Sequence, residues 1–280
     1  MPTYQTPTAI DLAIDLKVGR VEVIASERDD TVVTLSTTGA GGRRAADDTR
    51  IDFDGRRLAV IGPRPRFSWI GPGQGDAVDI TVELPNDSRV TAEVALGDVR
   101  THGRLGAARV KSALGDVELD ATGDLWVRAS HGSVAVDTAA GSVDITVELG
   151  QIRLGTTGGQ AILTASHGNI QLTRAGDDVE AKLSYGDLEI ATALASVSAR
   201  TAYGSIRLHE VSGGSIDVSS GYGRVSVGLR NGVSAWLDLS SKEGRVHNEL
   251  TGESAPEPSE QTVAIRARTR YGDIDVRHAR

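Results

Sequence analysis

Eight residues stand one place before a recurring glycine: Leu96, Leu114, His131, Leu149, His167, Tyr185, Tyr203 and Tyr222. Eight more stand one place after it: Asp98, Asp116, Ser133, Gln151, Asn169, Asp187, Ser205 and Arg224. Side chains bearing oxygen or nitrogen at a fixed period could line up a row of cation sites. Calcium-binding β-rolls use nine-residue units in this way, with a double glycine and an Asp in every turn. Here the column passes through Gln151 and ends on Arg224, and a guanidinium does not fit an array of cations. His131 and His167 fall two repeats apart, or ~9.6 Å if repeats stack as strands do. One metal held at ~2.1 Å from each nitrogen cannot span that gap. No metal and no other cofactor is therefore expected.

Catalytic chemistry finds no better footing. A glycosidase needs two carboxylates at a set separation. The carboxylates here are scattered, and the outward column puts opposite charges in neighbouring repeats: Arg100 beside Glu118, and Glu189 beside Arg207. That is a solvated, self-neutralising face. There is no Ser-His-Asp set, phosphate loop or dinucleotide fingerprint, and with no Cys in the chain there is no thiolate nucleophile or disulfide. No catalytic residue is assigned.

Two groups of residues remain as candidate partner contacts. Tyr185, Tyr203 and Tyr222 would stand in adjacent rungs ~4.8 Å apart as an aromatic ladder, a flat surface for a sugar, a peptide or a second copy. The plainer reading is a stack of half-buried turn aromatics covering one edge. The second group lies in the segment 62–77, where Arg64, Arg66, Phe67 and Trp69 sit among three prolines and four glycines. Aromatic and Arg residues are common interface anchors; alternatively Trp69 folds back over the end or side of the structure.

The elements that must carry these residues follow from the glycines themselves. Gly97, Gly115, Gly132, Gly150, Gly168, Gly186, Gly204 and Gly223 are 18, 17, 18, 18, 18, 18 and 19 residues apart. A period this tight marks a repeat architecture. Weaker copies of the phrase fall midway, at Gly106, Gly123, Gly141, Gly159, Asp177, Ala195, Gly214 and Gly232. The second residue after each strong glycine is Val, Ile or Leu, and the fourth is aliphatic in every repeat except Thr101. The third (Arg100, Glu118, Ala135, Arg153, Gln171, Glu189, Arg207, Ser226) is mostly polar. This is the period-two pattern of strands with one buried face. Two short strands per ~18 residues make one flattened coil of a parallel β-solenoid. Each coil buries its apolar face against its neighbours and the opposite sheet. Ala108, Ala161, Ala181 and Ala199 keep one side of that core thin. An antiparallel meander is the second choice, since nothing in it requires the strong phrase at every other strand.

Composition bounds the rest. The chain has 280 residues, a net charge of −8 and 4 % aromatics. The acidic balance argues against nucleic-acid binding, which needs a basic stripe, and no apolar run is long enough for a membrane span. The sequence begins without a basic, apolar leader, so a cytoplasmic location is expected. No linker is visible. The chain reads as one all-β solenoid domain, 1–280, with an irregular β N-terminal third over 1–95 that includes the loop 62–77. Regular repeats follow over 96–250, then a loop and terminal coil over 251–280. Within the first third, Ile51-Asp52-Phe53 and Leu58-Ala59-Val60 flank Asp54-Gly55 as a hairpin, and 37–50 is a surface loop with room for a helical turn. Trp236 and Leu237 supply bulk near the end of the ladder. Arg277, His278 and Arg280 would blunt an exposed final strand.

Two stretches resemble a known family. The opening run from Pro2 to Val33, with Thr6-Pro7, Val18-Gly19, Ala25-Ser26 and Thr31-Val32-Val33, is one. The ending, from Ala235-Trp236-Leu237-Asp238-Leu239 to Arg270-Tyr271-Gly272-Asp273-Ile274, is the other. With the Gly-Asp-Val phrases between them, they resemble the actinobacterial domain-of-unknown-function family of β-strand-repeat proteins, loosely labelled adhesins. The resemblance covers nearly the whole chain and implies a β-solenoid. It implies no activity, cofactor or catalytic residue, and the adhesin label implies surface exposure. The expected function is a non-catalytic scaffold or binding module for an unidentified protein or glycan. A self-assembling structural protein comes second and a carbohydrate-active enzyme third.

Overall fold

The computed structural model describes residues 2–37, 44–63, 67–68, 71–72, 77–250 and 262–279. It is all-β apart from one helical turn at 44–47. Two compact units are present, Met1–Thr138 and Ala139–Arg280, and each is a stack of parallel two-strand coils.

In the first unit one sheet contains the strands Asp11–Val18, Arg89–Leu96, Ala107–Leu114 and Asp124–His131, all parallel. The other contains Val78–Pro85, Val21–Ser26, Val99–Arg104 and Val117–Thr122, also parallel. Chain order and stacking order differ at the start. The strands Arg57–Ile61 and Val78–Pro85 come later in sequence yet lie beneath the coil made by Asp11–Val18 and Val21–Ser26. Three antiparallel strands close this end, the outermost of one sheet being Thr3–Gln5 on Asp30–Thr37. Arg50–Phe53 pairs with Arg57–Ile61 around Asp54-Gly55, as the hairpin signal requires, and Asp30–Thr37 lies on Val78–Pro85. Asp54 Oδ1 accepts the N–H groups of Arg57 at 2.7 Å and Arg56 at 3.0 Å.

The second unit continues the same plan. One sheet runs through Val143–Leu149, Ala161–His167, Val179–Tyr185, Val197–Tyr203 and Ser215–Tyr222. The other runs through Ile152–Thr157, Ile170–Ala175, Leu188–Ala193, Ile206–Val211 and Val225–Leu229. Here too the final coil is out of order. Thr262–Tyr271 and Ile274–His278 insert between the Ser215–Leu229 coil and the coil made by Ser234–Glu243 and Val246–Asn248.

Two expectations are corrected at this end. The strand of Arg277 and His278 is not the last of its sheet, because its Ile274–Val276 pair with Val246–Asn248; the outermost described strands at this end are Ser234–Glu243 and Val246–Asn248, and Arg280 lies outside the described residues. Trp236 supplies no core bulk, because its register partner Ala264 lies on the outer face and the indole is 69 % exposed. Only Leu237 takes an inward place, opposite the buried Ile265. The remaining inward columns fall as the period-two pattern requires: Val99, Val117, Val134, Ile152, Ile170, Leu188, Ile206 and Val225 are all fully buried.

The corner between the two strands of each coil explains the glycines. At Gly204 φ is +148°, a conformation in which a side chain is strained. A Cβ there would also sit 1.9 Å from the Gly186 carbonyl oxygen of the coil beneath. The same approach recurs at Gly97 over Gly19, Gly115 over Gly97, Gly186 over Gly168 and Gly272 over Gly223. Consecutive coils touch at their corners through bare backbone. Asp and Asn after the glycine tie one corner to the next: Asp116 Oδ1 accepts Ser133 N–H at 2.7 Å, Asn169 Oδ1 accepts Asp187 N–H at 2.9 Å, and Asp187 Oδ1 accepts Ser205 N–H at 2.7 Å.

Replacing a corner glycine should therefore cost far more than replacing a glycine with only a conformational role. Gly204→Ala combines a steric overlap with strain and is expected to lose about 3 kcal/mol or more. Gly232→Ala has φ +78° and no atom within 4 Å of the added methyl, so about 1–2 kcal/mol is expected. Urea melts of the two variants check the difference.

Candidate functional site

The ladder of tyrosines grows directly from the corner. Tyr185, Tyr203 and Tyr222 end successive parallel strands in register, Tyr185 opposite Tyr203 and Tyr203 opposite Tyr222. Their rings stack at centroid distances of 4.9 Å with interplanar angles of 2° and 7°. The stack extends at both ends. His167 lies 4.9 Å from Tyr185 at 11°, and Tyr271 lies 4.7 Å from Tyr222 at 8°. Tyr271 joins because its strand inserts beside Ser215–Tyr222, although 49 residues separate the two tyrosines in sequence.

The base of the ladder is held by buried hydroxyls. Two residues before three of the rings, those of Tyr203, Tyr222 and Tyr271, the side chains of Thr201, Ser220 and Thr269 point inward and donate to the carbonyls of Gly186, Gly204 and Gly223 at 3.3, 2.8 and 3.1 Å; Leu183 and Ala165 hold that place before Tyr185 and His167. The strand thus ends with a satisfied corner, and the next large side chain is turned out. The tyrosines are 43 % to 49 % exposed. Their faces are occupied by one another, so the column offers solvent a row of ring edges and phenolic hydroxyls. The column does not demand aromatics, since Leu149 takes the place before His167 and Glu243 the place after Tyr271.

The other sequence candidates are placed differently. Arg64, Arg66 and Trp69 lie outside the described residues. Phe67 belongs to a two-residue strand, Phe67–Ser68, paired antiparallel with Gly71–Pro72. Of the expected outward charge pairs, Arg100 does meet Glu118 at 3.1 Å. Glu189 and Arg207 are register neighbours, but Arg207 approaches Asp187 at 3.8 Å while Glu189 takes His209 at 2.7 Å. The intervening His209 sits two places along the same strand and competes for the carboxylate. Among the described residues no group of three or more His, Asp or Glu is arranged to hold a metal, and no helix is long and apolar enough to cross a membrane.

Two further exposed or half-exposed aromatics, one in each unit, are not visible in the strong-glycine column. Tyr271 precedes Gly272-Asp273-Ile274, a further copy of the phrase, but only the strand insertion shows that it stacks on Tyr222. Trp126 belongs to the half-repeat, three residues after the weaker Gly123, with Arg109 three residues after Gly106. In the first unit these two are register partners on the outer face of one sheet. The Arg109 guanidinium lies 4.3 Å from the centre of the Trp126 ring and that of Arg128 lies 4.8 Å from it.

A parallel β-solenoid with coils joined at glycine corners and an exposed column of stacked rings defines the class of protein. The family described as Toastrack DUF4097 matches residues 10–178, more than half of the chain, and the protein belongs to it. No curated protein matches the chain. Among solved structures, a candidate adhesin from Bacteroides fragilis shares 15 % identity with a TM-score of 0.42. That alignment covers 98 % of this chain and 95 % of the other. A candidate adhesin from Parabacteroides distasonis shares 11 % identity with a TM-score of 0.35 over 98 % and 95 %. A candidate cell adhesion protein from Clostridium sporogenes shares 11 % identity with a TM-score of 0.22 over 99 % and 98 %.

Two measurements follow from this geometry. Tyr203 stacks on two neighbours, each contact worth about 0.5–1.5 kcal/mol, so Tyr203→Ala should lower stability by about 1–2 kcal/mol in denaturant melts while the fold persists. The second concerns Asp273, whose carboxyl is held below its ordinary value by the Arg245 N–H, helped by the Arg224 guanidinium and opposed by partial burial. A carboxyl lowered by folding stabilises above its unfolded value of ~3.9, and that contribution disappears as pH falls through the lower folded value. Asp273→Asn should therefore flatten the loss of stability below about pH 4, read from melting temperatures across an acid series.

Proposed function

We propose that this protein is a non-catalytic binding scaffold that presents side-chain columns to an extended macromolecule. The observation that supports the reading best is the exposed stack of His167, Tyr185, Tyr203, Tyr222 and Tyr271. Five rings in one column leave a continuous strip of edges and hydroxyls in solvent. Tyr is typical of binding surfaces because it offers a large, stiff contact with a polar tip at little conformational cost. The neighbouring outward positions are short or basic, with Ser184 and Ala202 beside the rings and Lys182 and Arg200 further back along the same strands. Lys182 is paired with Glu180 at 2.6 Å, whereas the Arg200 guanidinium has no hydrogen-bond or ion-pair partner among the described residues. Such a strip can be covered by a protein or a glycan strand lying along the stack.

A second reading, self-association, is favoured by one specific feature. The coil of Ser234–Glu243 and Val246–Asn248 has a described neighbour on one side only. Its Ala235, Leu237 and Leu239 stay partly exposed where the adjoining Val263, Ile265 and Ala267 are at most 1 % exposed. A second copy could pair there. The first unit ends in antiparallel strands, which do not continue a parallel stack, so a closed pair suits this edge better than a growing fibre.

Replacing Tyr185 and Tyr203 together by Ser tests the first reading. Capture of material from the native host's lysate and cell envelope should be lost while circular dichroism shows the strands intact; unchanged capture would remove the ladder from the binding surface. Light scattering over a concentration series tests the second. A mass that stays at one chain throughout rejects it, and a doubling that Leu237→Glu abolishes supports it.

A further inference from the structure

The outer face of the first unit carries a groove unrelated to the tyrosine column. It begins as a cavity of about 330 Å³ between Asp11, Ala13, Arg57, Arg89 and Thr91. It continues as one of about 270 Å³ between Arg89, Thr91, Ala107, Arg109, Asp124 and Trp126. Arg89 and Thr91 line both, so the two form one channel. The register shows how it arises. One row across five strands reads Ala59, Ala13, Thr91, Arg109, Trp126. Three short side chains make a floor, and the row then rises to a cation and an indole. Beside it run Arg57, Asp11 and Arg89, followed by Ala107 and Asp124 on the next two strands. Four strand spacings of ~4.8 Å give a length of ~19 Å, room for several linked sugars.

The chemistry of the walls points to one ligand class. The strands under the groove are paired on both sides, so no free strand edge is available to pair with a peptide backbone. A ligand must be read through side chains. These alternate strong donors, Arg57, Arg89 and Arg109, with the acceptors Asp11 and Asp124 and the hydroxyl of Thr91, a pattern that suits a ligand dense in hydroxyls. The Arg89 guanidinium has no hydrogen-bond or ion-pair partner among the described residues. Arg109 is stacked on Trp126 at 4.3 Å, which holds its planar guanidinium in place at reduced entropic cost, and it has no hydrogen-bond or ion-pair partner for that group among the described residues, so a two-point bond to a carboxylate is open to it. Asp11 is already approached by Arg56 at 3.6 Å, so it does not cancel these cations alone. A nucleic acid would also carry anions, but its bases need aromatic faces to stack on, and the one aromatic of this groove, Trp126, is already stacked on by Arg109 and Arg128.

We propose that this groove binds a carboxylate-bearing polysaccharide, such as a uronic-acid chain. Hydroxyls are held by Thr91, Asp11 and Asp124, and carboxylates by Arg89 and Arg109 beside Trp126. The inference rests on the binding-scaffold reading and gives that scaffold a second, chemically defined face.

Isothermal titration of the full chain with oligogalacturonate tests it, with dextran as the neutral control and poly-L-glutamate as the acidic peptide. Binding of the uronate alone, weakened by salt, is expected. Arg89→Ala and Arg109→Ala should each lower affinity at least about tenfold, with melting curves close to the parent's. Tyr185→Ser/Tyr203→Ser should leave it unchanged. Absence of uronate binding, equal binding of poly-L-glutamate, or indifference to Arg89→Ala overturns the proposal. If uronate fails while the tyrosine variant still loses its captured partner, the groove falls and the scaffold stands. If uronate binds through Arg89 and capture ignores the tyrosines, the groove stands and the ladder falls.

Discussion

The close contact of one glycine corner with the next is the constraint on which the rest depends. From Gly97 over Gly19 to Gly272 over Gly223, corner after corner rests on the carbonyl of the glycine below, at a distance that leaves no space for a methyl group. Ladder hydrogen bonds alone would permit strands of unequal length and drifting register. Corners that must touch do not. The N–H of Gly186 bonds the Tyr203 carbonyl and that of Gly204 bonds the Tyr222 carbonyl, both at 2.9 Å. Every coil is therefore pinned at the same point of its circuit. Side chains at equal distances from the corner then fall into columns, whether or not their own chemistry favours it. Aliphatic columns become the core, Ser and Thr hydroxyls at some corners cap the glycine carbonyls, and whatever precedes the glycine is turned out as a stripe.

This constraint explains which parts of the fold can be read from the sequence. Inside the regular repeats, strand direction, facing and register all follow from counting residues from a glycine, and the second residue on from it is fully buried in the repeats of each unit. The ends resist such counting because pairing there is not between consecutive coils. Val78–Pro85 belongs under Val21–Ser26, and Thr262–Tyr271 belongs between two strands that precede it. A local pattern records that each segment is a strand with a buried face. It does not record which existing edge the segment will join, since any coil with the same inward aliphatics offers an equivalent partner. The charges of Arg277 and His278 mislead for the same reason: they look like an edge because the chain stops there, while the edge of the sheet lies elsewhere.

The candidate surfaces divide along the same line. The stacking of Tyr185, Tyr203 and Tyr222 is legible because all three are one step from glycines of the regular period. Tyr271 carries the same signature but enters the column only through the insertion. Trp126 and Arg109 are hidden for a different reason. They belong to the half-repeat, whose marker residue drifts through Gly, Asp and Ala, so the outward column on that sheet has no fixed landmark. The pair is recognisable only after the register of the second sheet is known. Glu189 and Arg207 show the limit of pairing by column alone, since the nearer Asp187 and His209 redirect both charges along the strand.

Column-making also shapes what such a fold can do. Catalysis requires unlike groups to converge on one reacting atom and be held there to a fraction of an ångström. A solenoid does the reverse. It repeats like environments at a constant rise, and its outward side chains stand roughly parallel to one another. What repetition supplies well is many modest contacts along a line, which suits a partner that is itself extended and repetitive, because each added contact costs little once the first is made. The tyrosine stripe is the pure case, one side-chain type at one spacing. The groove of the first unit is the informative exception: along one row the residues change from Ala to Thr to Arg to Trp, and a flat face becomes a channel with distinct donors, acceptors and an aromatic wall. Specific recognition in this architecture is to be found where a column changes its residue type while the backbone keeps its period.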